Sequence, residues 1–305
     1  MCAAFLFLMK GGLYCMQENK SVFMPNTTLY NLPFKEFALG LGIRAGNILM
    51  RNFHDTNKTR PTKKSRYELV TKSDMEVHKF MRYKIKQQFP THNFVSEEGG
   101  LIDNGSEFTW VVDPLDGTLN YTIANPFFST SISLLCHDEP VLGVIYAPIL
   151  QEMFVVEKDR SFRLNERNEK VSKVKNLDNA VLSFSYFRRD KKSREQLLGV
   201  WNTFEEQCRS MRHFGCTTLE LAYTACGRME GTVISPPLRQ WDVAAGMLMV
   251  ETAGGTITNF EGKKWNGLKE GLVATNGAVH NQVLNVLKKE GLLPRKKKVS
   301  TKKRT

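Results

Sequence analysis

The stretch Trp110-Val111-Val112-Asp113-Pro114-Leu115-Asp116-Gly117-Thr118-Leu119-Asn120 decides the reading of this chain. Three apolar, strand-prone residues run into a carboxylate, a proline, a second carboxylate, a glycine and a hydroxyl, the pattern of a buried strand ending in a tight acidic turn. Asp113 and Asp116 stand too close in sequence to be both ionised and dry without a compensating charge, because neighbouring carboxylates raise each other's pKa. A divalent cation meets that need. Gly117 lets the backbone pass close to a ligand, and the amides that follow point at an anion if a helix begins there.

Outward from this turn, further acids sit at element ends. Phe34, Phe37, Leu41, Ala45, Ile48 and Leu49 recur at helical spacing, which predicts an amphipathic helix over 34–53. The polar stretch from His54 to Arg66, with Lys63 and Lys64, reads as a mobile loop whose lysines can face an anion. Ser73 and Glu76 fit an S-x-x-E capping box, placing Asp74 in the first turn of a helix that Phe89-Pro90 ends. On its own, Asp74 does no more than complement the helix dipole. Phe94-Val95 is a short strand leading into Ser96-Glu97-Glu98-Gly99-Gly100, and carboxylates at the ends of neighbouring strands converge in space.

Downstream, Phe127 to Leu135 and Val141 to Tyr146 read as an antiparallel hairpin, and Met153 to Val156 as another strand. The charged run from Glu157 to Lys175 is the candidate boundary. The second half alternates strands (181–185, 211–214, 230–234, 256–259, 272–275) with helices (193–204, 217–226, 241–251, 279–289). Gly215-Cys216-Thr217-Thr218 opens one of these helices and offers a glycine and hydroxyls to a ligand, or a plain N-cap. Trp241 to Glu251 is so apolar that the helix is buried, and Asp242 in its first turn needs a partner.

Composition sets the outer bounds. The 305 residues allow one large or two medium domains, with the hydrophobic and charged fractions of an ordinary globular protein. Of the net charge of +12, seven positive charges lie in residues 295–305, so the body is far less basic than the total implies. Six cysteines without a CxxC pair need no disulfides and argue against zinc, which fits a cytoplasmic protein. No apolar run reaches the length of a membrane span, and the apolar start Met1 to Met9 lacks the basic n-region and cleavage site of a signal peptide. The expected organisation is a disordered leader (1–28), an N-terminal metal-binding subdomain (29–170), a C-terminal substrate subdomain (171–293) and a basic tail (294–305).

Asp74, Glu97, Asp113, Asp116 and Asp242 together make five acids at strand ends or helix starts, with no His or Cys among them. All-oxygen ligands suit Mg2+ or Mn2+. Two such ions a few ångströms apart hydrolyse phosphate esters, one lowering the pKa of a bound water and the other steadying the leaving oxygen.

With these residues assembled, the chain resembles the inositol monophosphatase family of metal-dependent, lithium-sensitive phosphatases. The family's D-P-[IL]-D-G-T-x-N motif stands at Asp113 to Asn120 and its W-D-x-A-A-G motif at Trp241 to Gly246. Leu69-Val70-Thr71 with Asp74, the Glu97-Glu98 pair and Gly227 to Gly231 are subsidiary matches, and the likeness spans about residues 30 to 290, with Gram-positive bacterial members looking most alike. The resemblance implies an α/β, layered αβαβα sugar-phosphatase fold, with an N-terminal mixed or antiparallel sheet and a C-terminal α/β part. It implies two or three Mg2+ ions, with Mn2+ as a substitute, held by Glu97, Asp113, the carbonyl of Leu115, Asp116 and Asp242. Thr118, held by Asp74, would orient the attacking water together with Glu97. Lys63 falls where the family has a lysine on a metal-site loop. Gly117 and Thr118 would hold the phosphate, and Gly215, Cys216, Thr217 and Asp242 would meet the alcohol. Family members are commonly homodimers.

One position departs from the pattern. Inositol-specific members carry a glutamate seven residues before the aspartate of the W-D motif, and here that position is Ser235. A neutral hydroxyl cannot replace charge-assisted bonds worth roughly 1.5–3 kcal/mol each. The expected activity is therefore hydrolysis of a small phosphorylated metabolite such as myo-inositol monophosphate. NADP(H) 2'-phosphatase, fructose-1,6-bisphosphatase and 3',5'-bisphosphonucleotide phosphatase are the alternatives within the same chemistry. A nucleic-acid-binding regulator acting through the basic tail is the alternative outside it, disfavoured by a tail without aromatic residues; no membrane partner is expected.

Overall fold

The structure, a computed structural model, describes residues 34–63, 69–186, 191–267 and 269–292, together with backbone strands before them. The chain divides into two units, Met1–Leu39 and Gly40–Thr305. In the first, the leader expected to lack structure carries an antiparallel meander of β1 (Phe5–Met9), β2 (Gly12–Gln17) and β3 (Lys20–Met24). Helix α1 (Phe34–Asn52) begins there and runs into the second unit. The readings of Lys64 and of the basic tail fall outside the described residues.

The second unit holds every other element. After α1 come α2 (Thr56–Thr59), β4 (Thr62–Lys63), β5 (Leu69–Val70), α3 (Lys72–Gln88), β6 (Asn93–Ser96), β7 (Gly100–Ile102), β8 (Phe108–Asp116) and α4 (Thr118–Thr122). They are followed by β9 (Ser129–Cys136), β10 (Glu139–Ala147), β11 (Glu152–Glu157), β12 (Phe162–Leu164) and β13 (Arg167–Asn168). The remainder comprises β14 (Val181–Ser185), α5 (Lys191–Gln207), β15 (Ser210–Arg212), α6 (Thr217–Ala225), β16 (Gly231–Ile234), α7 (Gln240–Thr252), β17 (Thr256–Thr258), β18 (Leu272–Thr275) and α8 (His280–Lys289).

Two sheets organise these elements into the expected αβαβα layers. The larger has the order β13-β12-β11-β10-β9-β8-β6-β7 and is antiparallel except where β6 and β8 run side by side. The smaller has the order β15-β14-β16-β18-β17, with β14 parallel to β15 and β16 and the other pairs antiparallel. Helices α1 and α3 cover one face of the large sheet, α6 and α7 fill the space between the sheets, and α5 and α8 cover the far face of the small one. Because α7 faces a sheet on both sides, it has no polar face, which is why its sequence is apolar all round.

The W-D-V-A-A-G motif makes this layering possible. A Cβ on Gly246 would come within 2.5 Å of Leu221, so only glycine lets α7 lie this close to α6. Ala245 meets Gly143 of β10 on the opposite side. Close packing of this kind is stiff, and a stiff α7 fixes where Asp242 at its start projects.

Three local expectations change. The capping box of α3 sits two residues earlier, with Thr71 as N-cap and Asp74, not Glu76, as its reciprocal partner. Glu76 instead binds Asn52, Lys58 and Arg51 on neighbouring helices, so its match to the pattern is coincidental. The charged run 157–175 contributes β12 and β13 to the edge of the large sheet, and the polar stretch after α1 contains α2 and β4. Strands β13 and β4 are exposed, where charged residues are compatible with a strand, while β12 buries Phe162 and Leu164 and exposes Arg163.

Candidate active site

The acidic turn closes β8. Trp110, Val111 and Val112 are buried as expected of a central strand, and pairing with β9 is irregular between Asp113 and Asp116, where the chain turns out of the sheet. Gly117 follows at φ +84, a conformation that a side chain would strain, and a Cβ there would also press on the Phe127 carbonyl at 3.0 Å. Asn120 then ties the turn down. Its amide donates to the carbonyls of Phe127 at 2.8 Å and of Phe214 at 2.7 Å, joining the end of β8 to the loop before α6.

Asp113 is fully buried and receives the Leu115 N–H at 3.0 Å. Burial, and then the charges of Glu97, Asp116 and Asp242, push its carboxyl well above the usual range. Asp242 is raised for the same reasons, by burial first and then Asp116 and Glu97, against small relief from the Arg239 backbone N–H, which it accepts at 3.3 Å. Four of the predicted acids, from β8, α7 and the loop after β6, thus sense one another strongly. The loop carrying Glu97 is anchored by Ser96, whose hydroxyl meets His78 Nδ1 at 2.9 Å and accepts the Glu98 N–H at 3.4 Å.

Asp116 differs from its neighbour. Its Oδ2 accepts the Thr218 N–H at 2.7 Å, the Thr218 hydroxyl at 2.7 Å and the Cys216 thiol at 3.2 Å. Helix α6 has no side-chain cap of its own, so Asp116, about a hundred residues upstream, caps it. Burial raises the Asp116 carboxyl while these donors pull it back. Burial and the adjacent Asp116 in turn hold the Cys216 thiol well above its usual range, so it stays a thiol that donates.

Thr118 Oγ1 lies 3.2 Å from Asp74 Oδ1 and 3.0 Å from the Leu115 carbonyl, and its single proton serves one of them at a time. Asp74 is buried, and its second oxygen accepts the Thr71 N–H at 2.8 Å and the Thr71 hydroxyl. Burial raises its carboxyl to about 6, opposed by the bonds from Thr71.

A hard divalent cation fits this arrangement. The donors are carboxylates and a carbonyl, and their mutual repulsion is the penalty that a bound cation removes. Glu97, Asp113, Leu115, Asp116 and Asp242 are the residues that would hold it. The oxygens do not crowd into one tight cluster. Among the described residues, the three ligand atoms within 4.8 Å of one another belong to Glu107, Cys136 and His137, elsewhere in the sheet.

The predicted substrate residues spread unequally. Gly215 is exposed at φ +71 and Thr217 is half-buried, both at the start of α6. The Cys216 side chain turns inward to Asp116 and Ser129, leaving only its backbone to face a ligand. Ser235 is buried at the end of β16, its N–H donating to the Ser185 carbonyl at 2.8 Å. Lys63 is exposed on β4.

Two residues of the site escape sequence reasoning. Thr218 reads in the sequence as one more loop hydroxyl and is the donor that anchors Asp116. Glu220, fully buried in α6, accepts the N–H groups of Phe214 at 3.1 Å and Gly215 at 3.2 Å and the Ser185 hydroxyl at 2.7 Å, so it shapes the loop before the helix. An acid on the apolar face of a helix is the signal that could have found it.

Comparison with known proteins identifies the family. The model of the inositol monophosphatase family matches residues 31–292. Nus factor SuhB of Vibrio cholerae is 30% identical over 231 residues, 75% of this chain and 86% of that protein. The fructose-1,6-bisphosphatase/inositol-1-monophosphatase of Thermotoga maritima is 30% identical over 254 residues, 83% of this chain and 94% of that protein. The crystal structure of the extragenic suppressor protein suhB from Bartonella henselae matches with a TM-score of 0.80 at 30% identity, covering 85% of this chain and 99% of that one.

Proposed function

The chain belongs to the inositol monophosphatase family, and from that premise we propose that it is a Mg2+-dependent phosphomonoesterase acting on a small sugar or polyol phosphate such as myo-inositol monophosphate. The observation that carries this reading is the convergence of Glu97, Asp113, Asp116 and Asp242 beside the Thr118–Asp74 pair.

When bound, Mg2+ supplies an activated water and neutralises charge on the leaving oxygen. The chain's own residues do the positioning. Asp74, ionised, takes the Thr118 proton in a hydrogen bond and so turns a lone pair of that hydroxyl toward the water. Glu97 accepts a second hydrogen of the same water. With both hydrogens held, the oxygen lone pair would face the phosphorus; in-line attack would form the new P–O bond as the ester P–O bond breaks, and the proton lost by the water would balance that gained by the departing alcohol oxygen, with no covalent enzyme intermediate. The amides of Gly117 and Thr118 take the phosphate oxygens, and the backbone of Gly215 to Thr217 takes the alcohol. Asp116 links the two tasks, since it belongs to the acidic turn and caps the helix that presents the alcohol loop.

Ser235 stands where inositol-specific members carry glutamate, so a substrate other than inositol phosphate is compatible with the same reaction. NADP(H), fructose 1,6-bisphosphate and 3',5'-bisphosphonucleotides are the runners-up. Phosphate release measured with Mg2+ across these and inositol phosphates, with lithium as inhibitor, ranks them. Hydrolysis that survives EDTA, or full activity in Asp113→Asn, would sink the proposal.

A further inference from the structure

The start of β8, at the opposite end from the acidic turn, carries a second group of metal-ligand atoms. Glu107 precedes β8, Cys136 ends β9 and His137 opens the turn to β10. The register pairs Phe108 with Cys136, and the His137 N–H donates to the Glu107 carbonyl at 2.9 Å, so the backbone itself brings the three together. Their ligand atoms all lie within 4.8 Å of one another. A tetrahedral ion with bonds of about 2.0–2.3 Å holds its ligands roughly 3.3–3.8 Å apart, so a contraction of about 1 Å closes the set. His137 is exposed and free to swing inward.

One observation sets this group apart from an ordinary surface cluster. Glu107 Oε2 is buried yet has no hydrogen-bond partner. His137 Nε2 approaches it at 3.3 Å without hydrogen-bond geometry. A buried carboxylate oxygen left this way costs free energy that a cation recovers. Burial, and then the charge of Glu107, hold the Cys136 thiol at about 11, so a cation that binds there must displace its proton. Lys158, whose charge acts on Cys136, is engaged by Glu139 at 2.6 Å.

We propose that Glu107, Cys136 and His137 form a binding site for a borderline-soft divalent cation of the zinc class, separate from the oxygen-donor site at the other end of β8. A thiolate, an imidazole and a carboxylate are a zinc-type ligand set with the fourth position left to water, whereas Mg2+ selects oxygen donors alone. Five residues, Phe108 to Val112, lie between Glu107 and Asp113, which places the two sites roughly 20 Å apart along an extended strand. The inference does not depend on the proposed substrate or reaction.

Titrating the full-length protein with Co2+ tests it, because only a cysteine ligand produces a thiolate-to-cobalt charge-transfer band. The expected result is a band that saturates at one ion per chain, is displaced by Zn2+ and is unaffected by Mg2+. It should persist in Asp113→Asn and in Cys216→Ser, which alter the catalytic region, and vanish in Cys136→Ser. His137→Gly, which fits the φ of +48 at this exposed turn position, should weaken Co2+ binding at least tenfold. The absence of any band in the wild-type protein, or a band that survives in Cys136→Ser, overturns the proposal.

Discussion

The end of β8 and the start of α6 meet at Asp116, and they solve opposite problems. The β8 turn gathers charge that the protein does not neutralise: Asp113 receives one backbone N–H and faces three other carboxylates. The α6 start gathers neutral donors, the Thr218 amide and hydroxyl and the Cys216 thiol, all aimed at one oxygen of Asp116. Two aspartates three residues apart therefore have different roles. In the proposed function Asp113 is left for a cation, while Asp116 is half satisfied by the protein and joins the end of β8 to the start of α6.

The sharpest way to break this contrast is Asp113→Asn. An amide cannot replace a cation ligand, so kcat/KM with Mg2+ should fall on the order of 10^3-fold. In EDTA the same change should raise the melting temperature, because a neutral group removes repulsion from Glu97, Asp116 and Asp242. The wild-type protein should instead gain stability from added Mg2+ by mass action, and a variant stabilised equally by Mg2+ would contradict the assignment of Asp113.

Thr118→Ala comes next. It leaves the acids in place and removes the hydroxyl between Asp74 and the Leu115 carbonyl, so kcat should drop about 10^2-fold with Mg2+ affinity little changed. Thr118→Ser should recover most of that loss. If serine fails to rescue, the hydroxyl is not what Thr118 contributes.

Thr218→Val probes the neutral side of the comparison. It keeps the shape and the N–H but removes the hydroxyl that Asp116 accepts, so the Mg2+ concentration needed for half-maximal activity should rise about tenfold, in the range found for residues that orient metal ligands. An unchanged Mg2+ requirement would mean that the backbone amide alone positions Asp116.

The smallest effect lies on the far side of the small sheet. His280 is buried between the hydroxyls of Thr258 and Thr275, each at 2.9 Å, and burial lowers its pKa below 6.5. The folded state thus prefers the neutral ring, while the unfolded chain gains a proton near 6.5. Stability is then complete above that pH and declines as pH falls from 6.5 toward the lowered folded value. His280→Gln should flatten that acid-side decline in melting temperature, and an unaltered profile would assign the decline to other groups.

Much of the catalytic half is legible in the sequence. Asp113, Asp116, Glu97 and Asp242 stand at element ends, and carboxylates there are expensive unless something uses them, so type and position alone point to a cation. The helix over 34–53 and the strand at 110–112 follow from spacing, and both appear. Asp74 lies in the first turn of α3 as its spacing predicts, but as the partner of Thr71 rather than a bystander between Ser73 and Glu76, because overlapping capping patterns look the same in a polar sequence. Strands β12 and β13 are hidden because they are only three and two residues long, too short for an alternation to stand out in a charged run. Thr218 is hidden because its partner Asp116 lies about a hundred residues away, and Glu220 because its bonds to the Phe214 and Gly215 amides depend on how the loop before α6 folds back.

By itself, then, the sequence determined the oxygen-donor chemistry and the alternation of strands and helices, since residue type and periodicity are local properties of the chain, while the layered arrangement was implied only by the family resemblance. Tertiary structure alone decided how Asp116 caps a helix about a hundred residues away and how α7 slides between two sheets on Ala245 and Gly246. It alone brought Glu107, Cys136 and His137 to one end of a strand. Each depends on distances between residues remote in sequence, which only packing sets.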